Sequence, residues 1–202
     1  QNELALYYYL KGRAQYARGD FLLALQNLAL ALNNVAKDDK RLTASIYNTA
    51  TNSFNDNLFF HEAEQLAKKA FKIRDKLKLE EKQESVSLLG GIYFKSGKFK
   101  KSYETYKKSI ELLSHDDSRA LNYLAKASIM LGYKNKAKKH IENSKRFADE
   151  NGFIVLLELL YLYVQKDFES LFQLYKNTIM LPEKRHKYDK VVVAWGYALL
   201  AR

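Results

Sequence analysis

The sequence predicts an all-α protein: a right-handed α-solenoid of about five helix-turn-helix repeats plus a terminal helix, spanning residues 1–202 as one superhelical domain. Its 202 residues include one proline and eight glycines, so few residues interrupt long helices. Hydrophobic residues make up 47% of the chain and charged residues 28%, which allows a core and a hydrated surface. One pattern of aromatic and small residues recurs along the chain at intervals of about 34 to 39 residues.

The repeating pattern is clearest near the N-terminus. Tyr8 and Gly12 on a first helix precede a turn at residues 19–21, and Ala24 and Ala31 follow on a second helix. Small residues let two antiparallel helices approach closely, and aromatic side chains fill the space towards the next pair. This arrangement resembles the tetratricopeptide repeat.

Four further copies keep the same register, with turns separated by about 39, 39, 35 and 34 residues. Their members are Tyr47, Phe54, Phe60, Ala63, Ala67 and Ala70; Gly90, Tyr93, Gly97, Phe99, Ser102, Tyr106 and Ser109; Leu124, Ala125, Gly132, Ala137, Ile141 and Ser144; and Leu162, Asp167, Phe168, Leu171, Tyr175 and Thr178. The register predicts eleven helices, at residues 4–18, 21–36, 39–55, 60–77, 81–96, 99–113, 117–131, 134–149, 152–165, 168–179 and 184–201.

The sequence offers no pattern for catalysis, metal binding or membrane insertion. It has no cysteine, which excludes disulfides and thiolate metal sites. The four histidines stand apart from one another, without the spacing of a zinc site. No glycine cluster has the spacing of a phosphate-binding loop, and no apolar run reaches eighteen residues. We therefore expect a cytoplasmic protein that is not an enzyme, with no cofactor, no metal and no membrane contact.

The net charge of +11 is concentrated in one part of the chain. From Lys95 to Arg146 there are fourteen Lys or Arg and five Asp or Glu, and most of the basic residues lie on the second helices of the repeats, on the predicted convex side. This face suits nucleic acid or an acidic partner, or it is an ordinary solvated surface. We favour the solvated surface, because lysine outnumbers arginine and arginine recognises phosphates and bases better.

The concave face is where we expect a short peptide or an extended protein segment to bind. Asn48, Asn52 and Asn55 follow i, i+4, i+7 spacing and form one stripe on one helix face. An amide has a donor and an acceptor, so the stripe suits an extended peptide backbone, and truncating it should hardly change folding stability. The alternative is that the three asparagines are merely solvated.

Carrying the repeat register across the chain gives nine peptide-binding residues: Tyr9, Arg13, Asn48, Asn52, Asn55, Phe94, Asn122, Tyr123 and Lys126. It also places in the groove Leu10, Tyr16, Thr49, Ser87, Leu88, Gly91, Lys95, Leu156, Leu157, Leu160 and Tyr163.

A narrower resemblance rests on residues 92–99, on residues 131–137, and on Ala148-Asp149-Glu150-Asn151-Gly152 before an apolar helix. These segments resemble the C-terminal domains of Firmicute peptide-pheromone receptors, the quorum-sensing regulators and phosphatases of the Rap, NprR and PlcR kind. The resemblance implies a groove in which asparagines and an arginine hold a short imported peptide. By position, these are Asn48, Asn52, Asn122 and Arg13. Many members carry an N-terminal effector domain that is not recognisable here, so a role in transcription regulation depends on such a domain.

Both ends of the chain raise expectations of their own. The first residue is not methionine, and we expect a fragment of a longer chain. The last predicted helix includes the apolar run 191–201, whereas a solenoid ends in a polar face. Either more repeats follow, which we favour, or this helix packs against a partner, for instance in a homodimer.

Two other functions compete with the sensor of a pheromone-responsive regulator. One is a scaffold for the assembly of a protein complex. The other is a basic helical repeat protein that binds nucleic acid, through a missing N-terminal domain or weakly through the lysine-rich face.

Overall fold

A computed structural model describes residues 2–78, 81–111, 118–146 and 152–180, and within these ranges the chain forms ten α-helices and no strand. The helices are α1 (Asn2–Arg18), α2 (Phe21–Asn34), α3 (Lys40–Asp56), α4 (Phe60–Lys76), α5 (Lys82–Lys95), α6 (Phe99–Glu111), α7 (Ser118–Met130), α8 (Lys134–Lys145), α9 (Gly152–Gln165) and α10 (Phe168–Thr178). Each of them matches a predicted helix to within a few residues. The eleventh predicted helix, at residues 184–201, lies outside the described residues.

The helices belong to two compact units, residues 1–112 and 113–202. The first unit holds the hairpins α1–α2, α3–α4 and α5–α6, and the second holds α7–α8 and α9–α10. Within each unit the A helix, first in a hairpin, packs against the B helix that follows it, and that B helix contacts the next A helix. The single domain expected for residues 1–202 stays a prediction.

All five hairpins turn in the same way. A residue just after each A helix has a positive φ: 85° at Gly19, 65° at Leu58, 75° at Gly97, 70° at Gly132 and 60° at Lys166. The next N–H then donates back to a carbonyl in the last turn of the A helix, as Asp20 N does to Gln15 O at 2.9 Å. A left-handed residue with this reverse hydrogen bond satisfies the carbonyls at a helix C-terminus. These turns recur at the intervals that the sequence predicts.

The side chains at the contact between the two helices of a hairpin are small, so the helices pack closely. The alanines at the packed positions are buried: Ala5, Ala24, Ala31, Ala44, Ala63, Ala67, Ala70 and Ala137. The helices also approach closely at Gly90 of α5, where an added Cβ would lie 2.7 Å from the ring of buried Tyr106. Close-packed helices leave no room for a larger residue at such points.

Aromatic pairs brace four of the turns. Phe94 at the end of α5 packs against Phe99 at the start of α6, with ring centres 5.4 Å apart. The equivalent pairs are Tyr16–Phe21, Phe54–Phe59 and Tyr163–Phe168. Three of these pairs are edge-to-face and Tyr16–Phe21 is tilted, and such ring contacts add to the stability that burial of the rings provides.

Candidate functional site

A cavity of about 390 Å³ opens in the first unit between the A helices α1 and α3. We call it the α1–α3 cavity. It is lined by Tyr9, Arg13, Tyr16 and Ala17 of α1, by Ser45, Asn48, Thr49 and Asn52 of α3, and by Arg74 of α4 and Glu84 of α5. The structure therefore brings together four of the nine expected peptide-binding residues, Tyr9, Arg13, Asn48 and Asn52. Two further expected groove positions, Tyr16 and Thr49, line the same cavity.

Arg74 forms part of the wall of the cavity and is almost fully buried, at 5% exposure. Its guanidinium donates to Glu84 Oε2 at 2.8 Å, to the Glu81 carbonyl at 2.9 Å and to Ser85 Oγ at 3.1 Å. A buried guanidinium needs such partners, because its desolvation is costly. This group fixes the wall where α4 meets α5.

Asn48 belongs to the same hydrogen-bonded group. Its amide nitrogen donates to Glu84 Oε2 at 3.2 Å, and its amide oxygen accepts from Ser85 Oγ at 3.1 Å. The side chain is 5% exposed, so the protein itself engages both ends of the amide. In contrast to the expectation from the sequence that truncation hardly changes stability, we therefore predict that Asn48 contributes to folding, because losing it would leave buried polar groups unpaired.

The other two asparagines of the stripe have different surroundings. Asn52 is half-buried, lines the α1–α3 cavity, and its amide has no hydrogen-bond partner among the described residues. Asn55 is buried outside the cavity lining, and its Oδ1 has no partner in the part of the chain that the structure describes. Of the three amides, that of Asn52 is the one available to a ligand.

Arg13 and Tyr9 form the opposite wall. The guanidinium carbon of Arg13 lies 5.6 Å from the centre of the Tyr9 ring, within the range of a cation–π contact. Arg13 is exposed, and no carboxylate in the described ranges pairs with it. No hydrogen bond within the described ranges uses the Arg13 guanidinium, so its N–H groups are available to another acceptor.

A polar network beside the cavity connects three A helices. The Tyr16 hydroxyl of α1 donates to Asp56 Oδ2 of α3 at 2.6 Å, and Lys95 of α5 contacts Asp56 Oδ1 at 2.7 Å. Partial burial favours a higher pKa for Asp56, but the hydrogen bonds from Lys95 and Tyr16 outweigh it and hold that pKa below its ordinary value. Burial, followed by the contact with Asp56, raises the pKa of Tyr16. Asp56 is therefore anionic at neutral pH, and its charge is already compensated.

The remaining expected residues do not line the α1–α3 cavity. Phe94 packs at the α5–α6 turn. Asn122, Tyr123 and Lys126 lie on α7, in the second unit. Asn122 is buried, Lys126 Nζ lies 5.4 Å from the Tyr123 ring centre, and burial lowers the pKa of Lys126. A ligand-binding role for these residues stays a prediction.

One groove position expected from the register is wrong. Leu157 is fully buried in the core of the second unit, together with Ile154 and Ile129. The sequence of α9 is apolar over most of its length, so its periodicity does not distinguish the packed face from the open one.

The repeat register does not place Ser45, Arg74 and Glu84 in the site. A signal for Arg74 exists, since Ala63, Ala67 and Ala70 form a buried stripe at i, i+4 and i+7, and Arg74 follows one turn later. An arginine on a buried stripe requires an internal acceptor, which here is Glu84.

Within the described ranges, no three potential metal-ligating side chains lie together. No helix there has the length and the apolar character needed to cross a bilayer.

The repeated turns and packed hairpins define a tetratricopeptide-like α-solenoid. A scan against protein-family models and a search of curated protein sequences give no match. Solved structures do match. The apo form of RapI aligns with a TM-score of 0.75 and 17% identity, over 98% of this chain and 59% of RapI.

A Rap protein complexed with competence and sporulation factor aligns with a TM-score of 0.69 and 14% identity, over 98% of this chain and 63% of that one. A Podosopora anserina kinesin light chain with TPR-like repeats gives 0.64 and 13%, over 96% and 94%. This chain thus spans less than two thirds of the length of the two Rap chains. At these identities the likeness shows the fold, and the predicted all-α solenoid of tetratricopeptide-like repeats that resembles Rap proteins is confirmed.

Proposed function

We propose that this chain is a peptide-binding domain, the sensor part of a cytoplasmic regulator that responds to a short peptide pheromone. The observation that carries the proposal is the α1–α3 cavity, where the free amide of Asn52, the Arg13 guanidinium over a tyrosine ring and a second tyrosine surround an open space. Concave sites with a few convergent polar groups are the usual ligand sites of proteins. The structural likeness to Rap proteins, one of them complexed with competence and sporulation factor, supports the finer part of the proposal.

The part of α3 that lines the cavity offers one free amide to the main chain of an extended peptide. Asn52 presents a donor and an acceptor to such a main chain, and Tyr9 and Tyr16 provide aromatic surface for its side chains. Asn48 shapes the wall, because its own amide is engaged.

The test is a thermal-shift titration of the purified chain with random hexapeptide pools, N-acetylated and C-amidated, followed by small-angle scattering of the complex. A ligand that binds only the folded state raises the melting temperature, and at a hundred times Kd it adds about 2.7 kcal/mol to the unfolding free energy. We expect at least one pool to raise it and to change the scattering curve.

Other outcomes would assign another function. A scaffold would not bind hexapeptides, and it would bind a long segment or a folded partner with little change of shape. A nucleic-acid binder would show an affinity that falls steeply with salt. Either result without hexapeptide binding contradicts the proposal. The claim that the ligand is a peptide pheromone has a separate test in the neighbourhood of the gene. There we expect a short reading frame that encodes a peptide with a secretion signal.

A further inference from the structure

We propose that the exposed face of α2 binds a second copy of this chain, so that two α2 helices pack antiparallel across a two-fold axis. Helix α2 does not line the α1–α3 cavity, so this surface is separate from the proposed peptide-binding site. The five B helices, aligned in the repeat register, show how α2 differs from the others.

The B helices of the described hairpins share one solvent-exposed stripe. In α2 its positions are 22, 23, 26, 29 and 30, and the corresponding residues are exposed in α4, α6 and α10, as are four of the five in α8. The stripes of these four helices consist of polar and charged residues, as is usual for a surface in water. They are His61, Glu62, Gln65, Lys68 and Lys69; Lys100, Lys101, Glu104, Lys107 and Lys108; Asn135, Lys136, Lys139, Glu142 and Asn143; and Glu169, Ser170, Gln173, Lys176 and Asn177.

The stripe of α2 is apolar instead. It consists of Leu22, Leu23, Gln26, Ala29 and Leu30, and its three leucines are 72%, 47% and 42% exposed. Helix α2 has no charged residue at all, whereas each of the other four B helices carries at least two charges on its stripe. Removing leucine surface from water is favourable, and a contiguous apolar patch on a protein surface marks a binding site. The α2 stripe therefore suits an apolar partner surface.

The charge of the chain restricts where two copies can meet. With a net charge of +11, two copies repel each other where their lysine-bearing stripes approach. Among the described B helices, α2 is the one at which two copies bring no like charges together. Homodimer interfaces are more apolar than other interfaces, and charged residues are depleted at their centres. A second copy presents such a surface in its own α2 stripe.

The order of residues along the stripe is self-complementary. Leu22 and Leu30 each lie four residues from Gln26, and Leu23 and Ala29 each lie three residues from it. In an antiparallel pair with Gln26 on the two-fold axis, Leu22 therefore meets the partner's Leu30, and the large Leu23 meets the partner's small Ala29. Such contacts are isologous, and large residues opposite small ones interdigitate. The Gln26 amide has donors and an acceptor, so the two amides on the axis can bond to each other.

Sedimentation equilibrium of the purified chain measures the association. One helix pair is a small interface, so we expect a weak dimer and measure up to about 1 mM protein. Salt should favour the dimer, because it screens the net charge. Leu30→Lys should raise the Kd at least about tenfold, because it buries an unpaired charge, and should leave the melting temperature of the dilute chain unchanged. The fold accommodates lysine here, since Lys69 and Lys108 occupy the corresponding positions.

The matched control for this variant is Leu77→Lys. Leu77 is 43% exposed at the end of α4, close to the 42% of Leu30, and lies outside the α2 stripe. Leu77→Lys should dimerise like the unaltered chain. A chain that stays monomeric throughout, or an equal loss of association in both variants, would overturn the inference.

Cysteine cross-linking identifies the surface. The chain has no cysteine, so the thiol of a Gln26→Cys variant has one possible partner, the same thiol of the second copy, across the proposed axis. Gln65→Cys puts a cysteine at the corresponding exposed position of α4 and is the matched control. We expect mild oxidation to yield a covalent dimer from Gln26→Cys, and far less from Gln65→Cys or from Gln26→Cys combined with Leu30→Lys. Equal yields from the two single-cysteine variants would overturn the inference.

Discussion

Asn48 and Asn52 lie one turn apart on α3, and the structure gives them different roles. Asn48 connects α3 to Glu84 and Ser85 of α5, whereas Asn52 faces the α1–α3 cavity with an unengaged amide. The sequence places both on the same stripe, because periodicity reports the face of a helix and not the partners that the next hairpin provides. The hydrogen bonds of Asn48 depend on residues 36 and 37 positions further along the chain.

Alanine substitution of the two asparagines should separate binding from folding. We expect Asn52→Ala to weaken binding of a hexapeptide selected from the pools by about tenfold to a hundredfold, with an unchanged melting temperature. Asn48→Ala should lower the unfolding free energy by about 1–3 kcal/mol, since buried polar groups lose their partner. Calorimetric titration measures the effect of each substitution on binding, and denaturant unfolding measures its effect on stability. Equal effects of both variants on stability would contradict the assignment.

Gly90 lies at a close contact between α5 and α6. Gly90→Ala would push a Cβ to within 2.7 Å of the Tyr106 ring, whereas in Gly91→Ala it would meet only the Tyr106 hydroxyl, at 3.3 Å. Overpacking at Gly90 lowers the unfolding free energy by about 1–3 kcal/mol. The better helix propensity of alanine raises it by about 1 kcal/mol in both variants. We therefore expect Gly90→Ala to be the less stable variant in urea unfolding. A Gly90→Ala chain as stable as Gly91→Ala would show that the two helices are further apart.

At the scale of the element, α4 and α5 are joined by Glu64. Its carboxylate contacts Lys68 at 2.6 Å, the Tyr93 hydroxyl at 3.0 Å and Lys98 at 3.9 Å. Burial favours a higher pKa for Glu64, but the bonds from Lys68 and Tyr93 and the charge of Lys98 outweigh it and bring that pKa below its ordinary value of 4.5. At pH values between the lowered pKa and the ordinary one, the folded state thus binds fewer protons than the unfolded chain.

The consequence is a loss of stability in acid. The contribution of Glu64 is present above about pH 4.5 and is lost as the pH falls through the lower, folded-state pKa. We expect the melting temperature of Glu64→Gln to fall less than that of the unaltered chain between neutral pH and pH values well below 4.5. Glu62→Gln, which changes an exposed carboxylate on the same helix, should keep the acid dependence of the unaltered chain. Identical profiles for Glu64→Gln and Glu62→Gln would contradict this role.

The elements themselves could be predicted because each one repeats a local rule. A positive-φ residue and a reverse hydrogen bond follow each A helix at intervals that the sequence displays, and an aromatic pair braces four of these turns. Glycine signals three of these turns, and the pattern around Leu58 and Lys166 identifies the other two without it. The face that α9 buries could not be predicted, because most of its residues are apolar.

At the scale of the whole molecule, the lysine-rich surface is not the ligand site in this account. Lys100, Lys101, Lys107 and Lys108 are all exposed on α6, outside the α1–α3 cavity. Each exposed charge should contribute well under about 1 kcal/mol to binding in the cavity. We expect replacement of all four by Gln to leave hexapeptide affinity nearly unchanged in calorimetric titration. A hundredfold loss would mean that the ligand binds to this surface instead.

The lining of the α1–α3 cavity could be predicted only in part from the sequence. Tyr9, Arg13, Asn48 and Asn52 could be expected from the register, since the A helices of consecutive hairpins line one face. The register does not place Arg74 and Glu84 in the site, because they come from α4 and from the start of α5 and enter the cavity wall through their mutual ion pair. The alanine stripe of α4 indicates only that Arg74 is buried. That pair depends on how two hairpins stack, which the repeat register leaves open.

The most direct test of the central claim, that a short peptide binds between α1 and α3, is photo-crosslinking. A hexapeptide selected from the pools, carrying a diazirine side chain, is bound to the purified chain, irradiated and mapped by mass spectrometry. The account predicts cross-links to α1 between Tyr9 and Ala17 and to α3 between Ser45 and Asn52, and their loss when unlabelled peptide competes. Competable cross-links confined to α6 or α8 would contradict it.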